Sequence, residues 1–73
     1  MKRRLTAIIE REEDMYVALC PELDTASQGD SIESARDSLQ EAIELFFETA
    51  SPAEVRERLD EETFITQVEV TVA

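Results

Sequence analysis

Apolar residues between positions 31 and 50 recur at steps of three and four, the spacing that places side chains on one face of an α-helix. Charged and amide side chains occupy the opposite face, and only Leu45 lies off the apolar stripe. Asp30 is the predicted N-cap, and Glu33 three residues later completes the pattern of a capping box. The pattern therefore predicts one amphipathic helix, about 30 Å long at 1.5 Å per residue, whose apolar face the rest of the chain must cover.

The segment before this helix predicts three short strands. Residues 5–11 and 15–20 each carry alternating side chains and flank a charged turn, which is typical of an antiparallel hairpin. Pro21 ends the second strand because proline lacks the N–H that a ladder needs. Residues 26–28 form a third strand, and Gly29 allows a sharp entry into the helix.

The segment after the long helix predicts a second helix and a last strand. Ser51, Pro52 and Glu54 form a helix start, and this short helix runs through Leu59. Residues 64–72, FITQVEVTV, alternate cleanly and predict a strand that returns to lie beside the first. The order β-β-β-α-α-β predicts a single α+β domain over residues 1–73, a small antiparallel sheet with one long helix on one face.

A sheet covered by one helix keeps its second face partly bare. Ile8, Tyr16 and Ala18 are the candidates for that face. Exposed apolar patches of this kind usually mark an interface, and an open sheet edge is a second docking site. The simplest use of both features is self-association, as a dimer or a tetramer.

The charge balance limits the possible partners. Seven Lys and Arg stand against eighteen Asp and Glu, a net charge of −11. Direct nucleic-acid binding is disfavoured because phosphate contacts need clustered cations. The acidity suits a basic protein partner or a surface adapted to solubility or high salt, and both interpretations stay open. No apolar run approaches a membrane span, and the stretch after the basic MKRR is too short and too soon charged for a signal peptide, so we expect a cytoplasmic protein without membrane contact.

The residue inventory argues against an enzyme. The chain has no histidine, so neither Cys20 nor any serine has the usual general base of a nucleophile. A single glycine rules out a phosphate-cradling loop. The acids of the long helix are interpreted as a solvated face, because nothing apolar surrounds them to shift a pKa. We predict no catalytic residue, no metal site and no cofactor.

Three successive stretches form a recognisable pattern: YVALCPEL at residues 16–23, SQGDS at 27–31, and a helix that carries Glu33, Ala35, Leu39 and the run EAIEL at 41–45. In this order and spacing they resemble the HicB antitoxin family. The resemblance extends over roughly residues 5–48. It departs at residues 24–26, where the family often has Pro-Gly-Cys, and at Ser34, which replaces a second glutamate.

The resemblance implies a partial RNase H-like domain that binds and neutralises a small, basic, RNA-cleaving toxin of the HicA type. Family members often carry a C-terminal DNA-binding domain, for which we expect no room before Ala73. The predicted partner-binding residues lie on the strand-loop surface and on the helix. They are Tyr16, Pro21, Glu22, Gln28, Glu41, Glu44 and Glu48.

Two other functions remain as alternatives. The first is an orphan homo-oligomeric domain, structural or regulatory, that has no toxin partner. The second is a metal-dependent nuclease, suggested only by the RNase H-like label, which would need a convergent acidic cluster at strand ends. Only Glu10 and Glu69 lie within the well-formed predicted strands.

Overall fold

The chain folds into a three-stranded antiparallel sheet covered on one face by a long helix. The computed structural model describes residues 3–60 and 63–73. Its elements are β1 (Ile8–Glu12), β2 (Met15–Cys20), β3 (Thr25–Gly29), α1 (Ile32–Thr49) and α2 (Pro52–Asp60). The strands are ordered β1-β2-β3, and α1 packs across them. The predicted α+β class is confirmed, as is the order of these five elements.

The strand bounds differ from the predicted ones mainly in β1. That strand begins at Ile8, three residues later than predicted, because the preceding backbone bonds elsewhere. The Thr6 N–H donates to the Glu22 carboxylate, at 2.9 and 3.2 Å from its two oxygens, instead of to a ladder carbonyl. β2 has the predicted bounds, and β3 is one residue longer at each end.

The sheet register decides which strand residues face α1. Ile9 lies opposite Ala18, and Ala18 lies opposite Ser27. Directly opposed residues share a face of an antiparallel sheet. Because Ala18 is fully buried and the Ser27 hydroxyl donates to the Ser38 carbonyl of α1, this row lies beneath the helix.

The prediction for the bare face is right for one residue and wrong for two. Ile8 lies on it and is 39% exposed. Tyr16 and Ala18 lie on the opposite face with Cys20, beneath α1. Both faces of β2 are apolar, so alternation alone does not identify the core face. The small Ala18 and Cys20 side chains let α1 approach closely, which makes theirs the buried face.

The core lies between α1, β2 and the turn after β2. Its buried hydrophobic residues are Ala18, Cys20, Leu23, Ala35 and Leu39. Partly buried apolar side chains from β1, β2 and both helices pack around this cluster. Leu45 is 58% exposed, as its position off the apolar stripe predicted.

Helix α1 is capped one residue later than the sequence predicted. Ser31 is the N-cap: its hydroxyl accepts from the Ser34 N–H, and the Ser34 hydroxyl accepts from the Ser31 N–H, both at 3.0 Å. The predicted cap, Asp30, instead accepts a hydrogen bond from the Ser34 hydroxyl. The capping box therefore uses Ser34 in place of Glu33, because Ser31 adopts the extended backbone that an N-cap requires.

Gly29 has a packing role at the junction of β3 and α1. Its φ is not positive, so left-handed backbone does not explain the glycine. A Cβ at this position would overlap the Ser34 Oγ and the Ala35 backbone nitrogen. Only glycine lets the first turn of α1 sit this close to the sheet.

Helix α2 begins as predicted and is joined to the core by one arginine. The Glu54 N–H donates to the Ser51 hydroxyl at 3.2 Å, which confirms the serine cap. Arg58 Nη1 donates to the Leu23 carbonyl at 2.7 Å, and the guanidinium lies 5.7 Å from the centre of the Phe46 ring. Arg58 thus links α2 to both the turn after β2 and helix α1.

The C-terminal segment does not form the predicted last strand. Residues 63–73, here called the tail, have no regular secondary structure and lie outside the sheet. Phe64, Val68 and Val72 are each more than 80% exposed. The radius of gyration is 14.4 Å, whereas a compact domain of this length would have about 11 Å. The prediction of a sheet strand at residues 64–72 is wrong for the single chain, because alternation gives a segment the composition of a strand and does not by itself bring it to a sheet edge.

Candidate interaction surfaces

The outer side of α1 carries a line of carboxylates that we call the acidic strip. Its members are Asp37, Glu41, Glu44 and Glu48, and all are exposed. Residues three and four apart are neighbours on a helix, so these side chains follow one side of α1. That side is opposite the buried Ala35 and Leu39. The strip contains three of the predicted partner-binding residues.

The acidic strip is almost without cations of its own. The one ion pair among residues 3–60 and 63–73 joins Arg36 and Asp37 at 4.0 Å, and both side chains are about two-thirds exposed. An exposed pair of that length contributes little. Neighbouring like charges on a helix destabilise it by a few tenths of a kcal/mol per pair, and a cationic ligand would relieve that repulsion.

Tyr16 lies at the end of the molecule where α1 begins. It is half-buried, packs against the core cluster and faces Gly29 across the β2–β3 ladder. Together with Ile32 and Arg36 it lines a shallow depression beside the helix start. Ile32 is 57% exposed there. The depression contains none of the acidic-strip residues, so it is an apolar contact point separate from the strip.

Glu22, another predicted partner-binding residue, is bonded inside the molecule. Its carboxylate accepts from the Thr6 N–H, from the Thr6 hydroxyl at 2.7 Å and from the Cys20 thiol at 3.5 Å. Pro21 belongs to the same turn, in which the Asp24 N–H donates to the Pro21 carbonyl. The structure thus gives Glu22 a role in fastening the N-terminal segment, for which the sequence offered no signal beyond a polar residue in an apolar stretch.

These contacts shift two ionisable groups in opposite directions. Desolvation by itself would raise the pKa of Glu22, but hydrogen bonds from Thr6 and Cys20 outweigh it and hold that pKa below its ordinary value. Burial raises the pKa of the Cys20 thiol, and the nearby Glu22 carboxylate raises it further. Cys20 is therefore a protonated, fully buried side chain at neutral pH, in line with its interpretation as a small hydrophobe.

The second candidate surface is the side of the sheet away from α1, here called the open face. Its apolar residues form a contiguous group at the sheet centre, and polar side chains flank them. Ile8, Met15 and Leu19 are each between 36% and 39% exposed. The group consists of Ile8, Met15, Val17, Leu19 and Ala26, with Glu10, Glu12 and Gln28 beside it. A patch of this type is suited to burial against another protein.

The predicted partner-binding residues do not form one surface. Gln28 lies on the open face, whereas Glu41, Glu44 and Glu48 lie on the outside of the helical layer. The sheet separates these two groups, so one flat partner surface cannot cover both. Tyr16 adjoins the helix side, and Pro21 and Glu22 lie in the turn after β2. Sequence analysis missed Met15, Val17 and Leu19, whose alternation gave a strand without indicating its exposed face.

The two acids considered for a nuclease lie in different parts of the molecule. Glu10 is on the open face in β1, and Glu69 is in the tail outside the sheet. Within residues 3–60 and 63–73, no group of three or more Cys, Asp or Glu side chains is arranged to hold a metal ion. In the same described part of the chain, neither helix is both long and apolar enough to span a membrane.

The fold and its surfaces define a small α+β domain in which one helical layer covers a three-stranded antiparallel sheet. The UPF0150 protein ssl0738 of Synechocystis sp. (strain ATCC 27184 / PCC 6803 / Kazusa) is 54% identical to this chain over 50 residues, which span 66% of this chain and 69% of that relative. The chain belongs to the UPF0150 family. No family model matches it, and no solved structure matches it.

Proposed function

We propose that this chain is a HicB-type antitoxin domain that neutralises a small basic toxin of the HicA type by direct protein contact. The observation that carries the proposal is the acidic strip, which has a single weak ion pair among the described residues, in a chain of net charge −11. The resemblance of residues 5–48 to HicB antitoxins supports the same partner class.

The acidic strip offers a physical route to neutralisation. A protein that cleaves RNA needs a basic surface for phosphate contacts. A line of fixed carboxylates competes with RNA for that surface, and its long-range attraction speeds association. The depression lined by Tyr16 and Ile32 offers a separate, apolar contact point that is not part of the strip. The proposed action requires neither catalysis nor a cofactor.

The test is binding to the product of the adjacent small basic reading frame. The two proteins are expressed together and purified, and their affinity is measured as a function of salt. We expect a stable complex whose affinity falls as salt rises, because screening weakens contacts between charged surfaces. The absence of such a reading frame, or a purified pair that does not bind, would refute the antitoxin proposal.

A pair of charge-matched variants locates the contact. The first carries Glu41→Gln, Glu44→Gln and Glu48→Gln on the acidic strip. The second carries Glu13→Gln, Glu54→Gln and Glu57→Gln, three exposed acids elsewhere. We expect the first to weaken binding at least about tenfold, or 1.4 kcal/mol, and the second to weaken it much less. Equal weakening would mean that net charge, and not the strip, attracts the toxin.

The second candidate function is a homo-oligomeric domain that has no toxin partner. The open face and the exposed apolar residues of the tail favour it, since both are suited to contact with another copy. This function predicts a stable oligomer that ignores basic proteins. Mass measurement by light scattering, with and without the adjacent gene product, separates the two functions.

A further inference from the structure

The tail has the sequence of a strand but none of its partners. In an extended tail, alternate residues lie on the same side. One side carries Thr66 and the bulky apolar residues, and the other side carries residues 65, 67, 69 and 71. The bulky residues of the first side are Phe64, Val68, Val70 and Val72. All four are at least 71% exposed. No hydrogen bond described for residues 63–73 reaches the remainder of the described chain. Burial of this side and pairing of its backbone must therefore come from another sheet edge.

The outer edge of β1 is an edge of that kind. The sheet order β1-β2-β3 places β1 at one border, and no strand among the described residues pairs with its outer side. β3 is the other border, and α1 packs chiefly over that strand, so an apolar strand added there would find the helical face already covered. The β1 edge is the one at which an added strand still gains burial.

The helical layer also leaves the β1 side of the core incompletely covered. α1 packs chiefly over β3, less over β2 and least over β1. Leu5 and Ile9, on that flank, stay only partly buried although both adjoin the core cluster. A strand placed beside β1 with an apolar side toward the helix would complete this burial.

We propose that the tail of a second copy of this chain pairs with the outer edge of β1, and that two copies exchange tails about a twofold axis. Phe64, Val68, Val70 and Val72 then cover the flank beside Leu5 and Ile9. Each sheet gains a fourth strand, and the outer edge of β1 in both copies is paired in the same symmetric contact. Nine paired residues span about 30 Å, which is more than enough to cover the five residues of β1.

A second copy is the occupant because the chain's own tail is not on its sheet. The structure of the single chain holds residues 63–73 away from the body, which accounts for the expanded radius of gyration. The tail is also nearly neutral, since Glu69 is its one charged residue in a chain of net charge −11. Contact through this segment therefore adds little repulsion between two such acidic copies.

The test is the mass of the full chain in solution, measured by light scattering for the wild type and two charge-matched variants. Val68→Asp with Val70→Asp places two acids on the apolar side of the tail, and Gln67→Asp with Thr71→Asp places two on the other side. We expect the wild type and the second variant to have twice the 8.3 kDa chain mass. The first variant should have the single-chain mass with unchanged helical circular dichroism, because the tail is outside the folded body.

Amide hydrogen exchange then locates the partner strand. We expect slow exchange in residues 64–72 and along the outer edge of β1 in the dimer, with both lost in Val68→Asp/Val70→Asp. A dimer that survives this variant would overturn the proposal, as would a wild-type monomer with a protected tail. Protection of the tail without protection of β1 would also overturn it, because the two tails would then pair with each other.

The salt response separates this contact from the proposed toxin contact. Tail exchange brings two acidic copies together, so added salt should strengthen the dimer. Binding of a basic toxin to the acidic strip should weaken under the same change. If one of the two contacts fails its test, the result for the other contact can therefore still be interpreted.

Discussion

Strand β2 and the tail have similar sequence patterns and opposite fates. Both have the composition of a strand: β2 is apolar at all six positions, and the tail alternates bulky apolar residues with mostly polar ones. β2 pairs with strands on both sides and contributes the fully buried Ala18 and Cys20. The tail pairs with nothing in the single chain, and Val68 is 82% exposed. Composition of this kind therefore shows which segments can be strands, and the available edges decide which of them become strands.

The difference follows from the entropy of loop closure and from the sheet edge that is available to each segment. β2 is separated from β1 by a two-residue turn, so pairing is local and costs little chain entropy. The tail must cross back over two helices before it meets an edge. Its apolar side can be buried only where the helix leaves room, and that place is at the flank of β1. The tail of a partner copy can occupy that flank just as the chain's own tail could.

The largest expected effect comes from the contrast between buried and exposed leucine. Leu39, on the buried side of α1, is 2% exposed, and Leu45, elsewhere on the same helix, is 58% exposed. Leu39→Ala should lower the free energy of unfolding by about 2–5 kcal/mol, because it removes buried methyl groups and creates a cavity. Leu45→Ala should change it by less than about 0.5 kcal/mol. Urea unfolding followed by circular dichroism measures both.

A matched change in the tail sharpens this comparison. In the dissociated Val68→Asp/Val70→Asp background, a further Phe64→Ala should leave the free energy of unfolding unchanged, since Phe64 is 83% exposed. A loss of stability there comparable to that of Leu39→Ala would show that the tail packs on its own body. The distinction between the two regions would then be wrong.

The next effect in size tests the close contact between β3 and α1. Gly29→Ala introduces a Cβ against the Ser34 hydroxyl and the Ala35 backbone, so something must move. Overpacking of this kind typically costs about 1–3 kcal/mol of folding free energy. The neighbouring Gln28→Ala, an exposed side chain on the open face, should cost much less. Equal losses from the two changes would show that sheet propensity, and not the contact with α1, requires glycine.

Local chemistry explains why much of this fold could be predicted from the sequence. β2, the two helices and the serine start of α2 follow from periodicity and capping residues that act over a few positions. The N-cap of α1 was misplaced by one residue because Asp30 and Ser31 are both good caps, and backbone conformation chooses between them. The missing tail strand depends on a partner edge, which no local pattern encodes.

The candidate site was less predictable, because it depends on which surfaces share a side of the molecule. The glutamates of the acidic strip were correctly grouped, since helical spacing fixes their relation. Gln28 and Glu22 were grouped with them as parts of one predicted strand-loop surface. The register turns Gln28 to the open face, and the Thr6 hydrogen bonds turn Glu22 inward. These are contacts between distant segments, 16 residues apart for Thr6 and Glu22.

The smallest expected effect concerns that inward-facing carboxylate and its dependence on pH. Because the folded-state pKa of Glu22 is lowered, its contribution to stability is present above the ordinary pKa of 4.5 and is lost as the pH falls through the folded-state value. Glu22→Gln should therefore lower the unfolding midpoint in urea at pH 7, and the deficit should shrink steadily in acid below pH 4.5. Glu12→Gln, an exposed carboxylate in β1, is the control and should show a much smaller deficit at pH 7. A Glu22→Gln deficit that stays constant into acid would mean that shape, and not the charged hydrogen bonds to Thr6, fastens the N-terminal segment to the turn after β2.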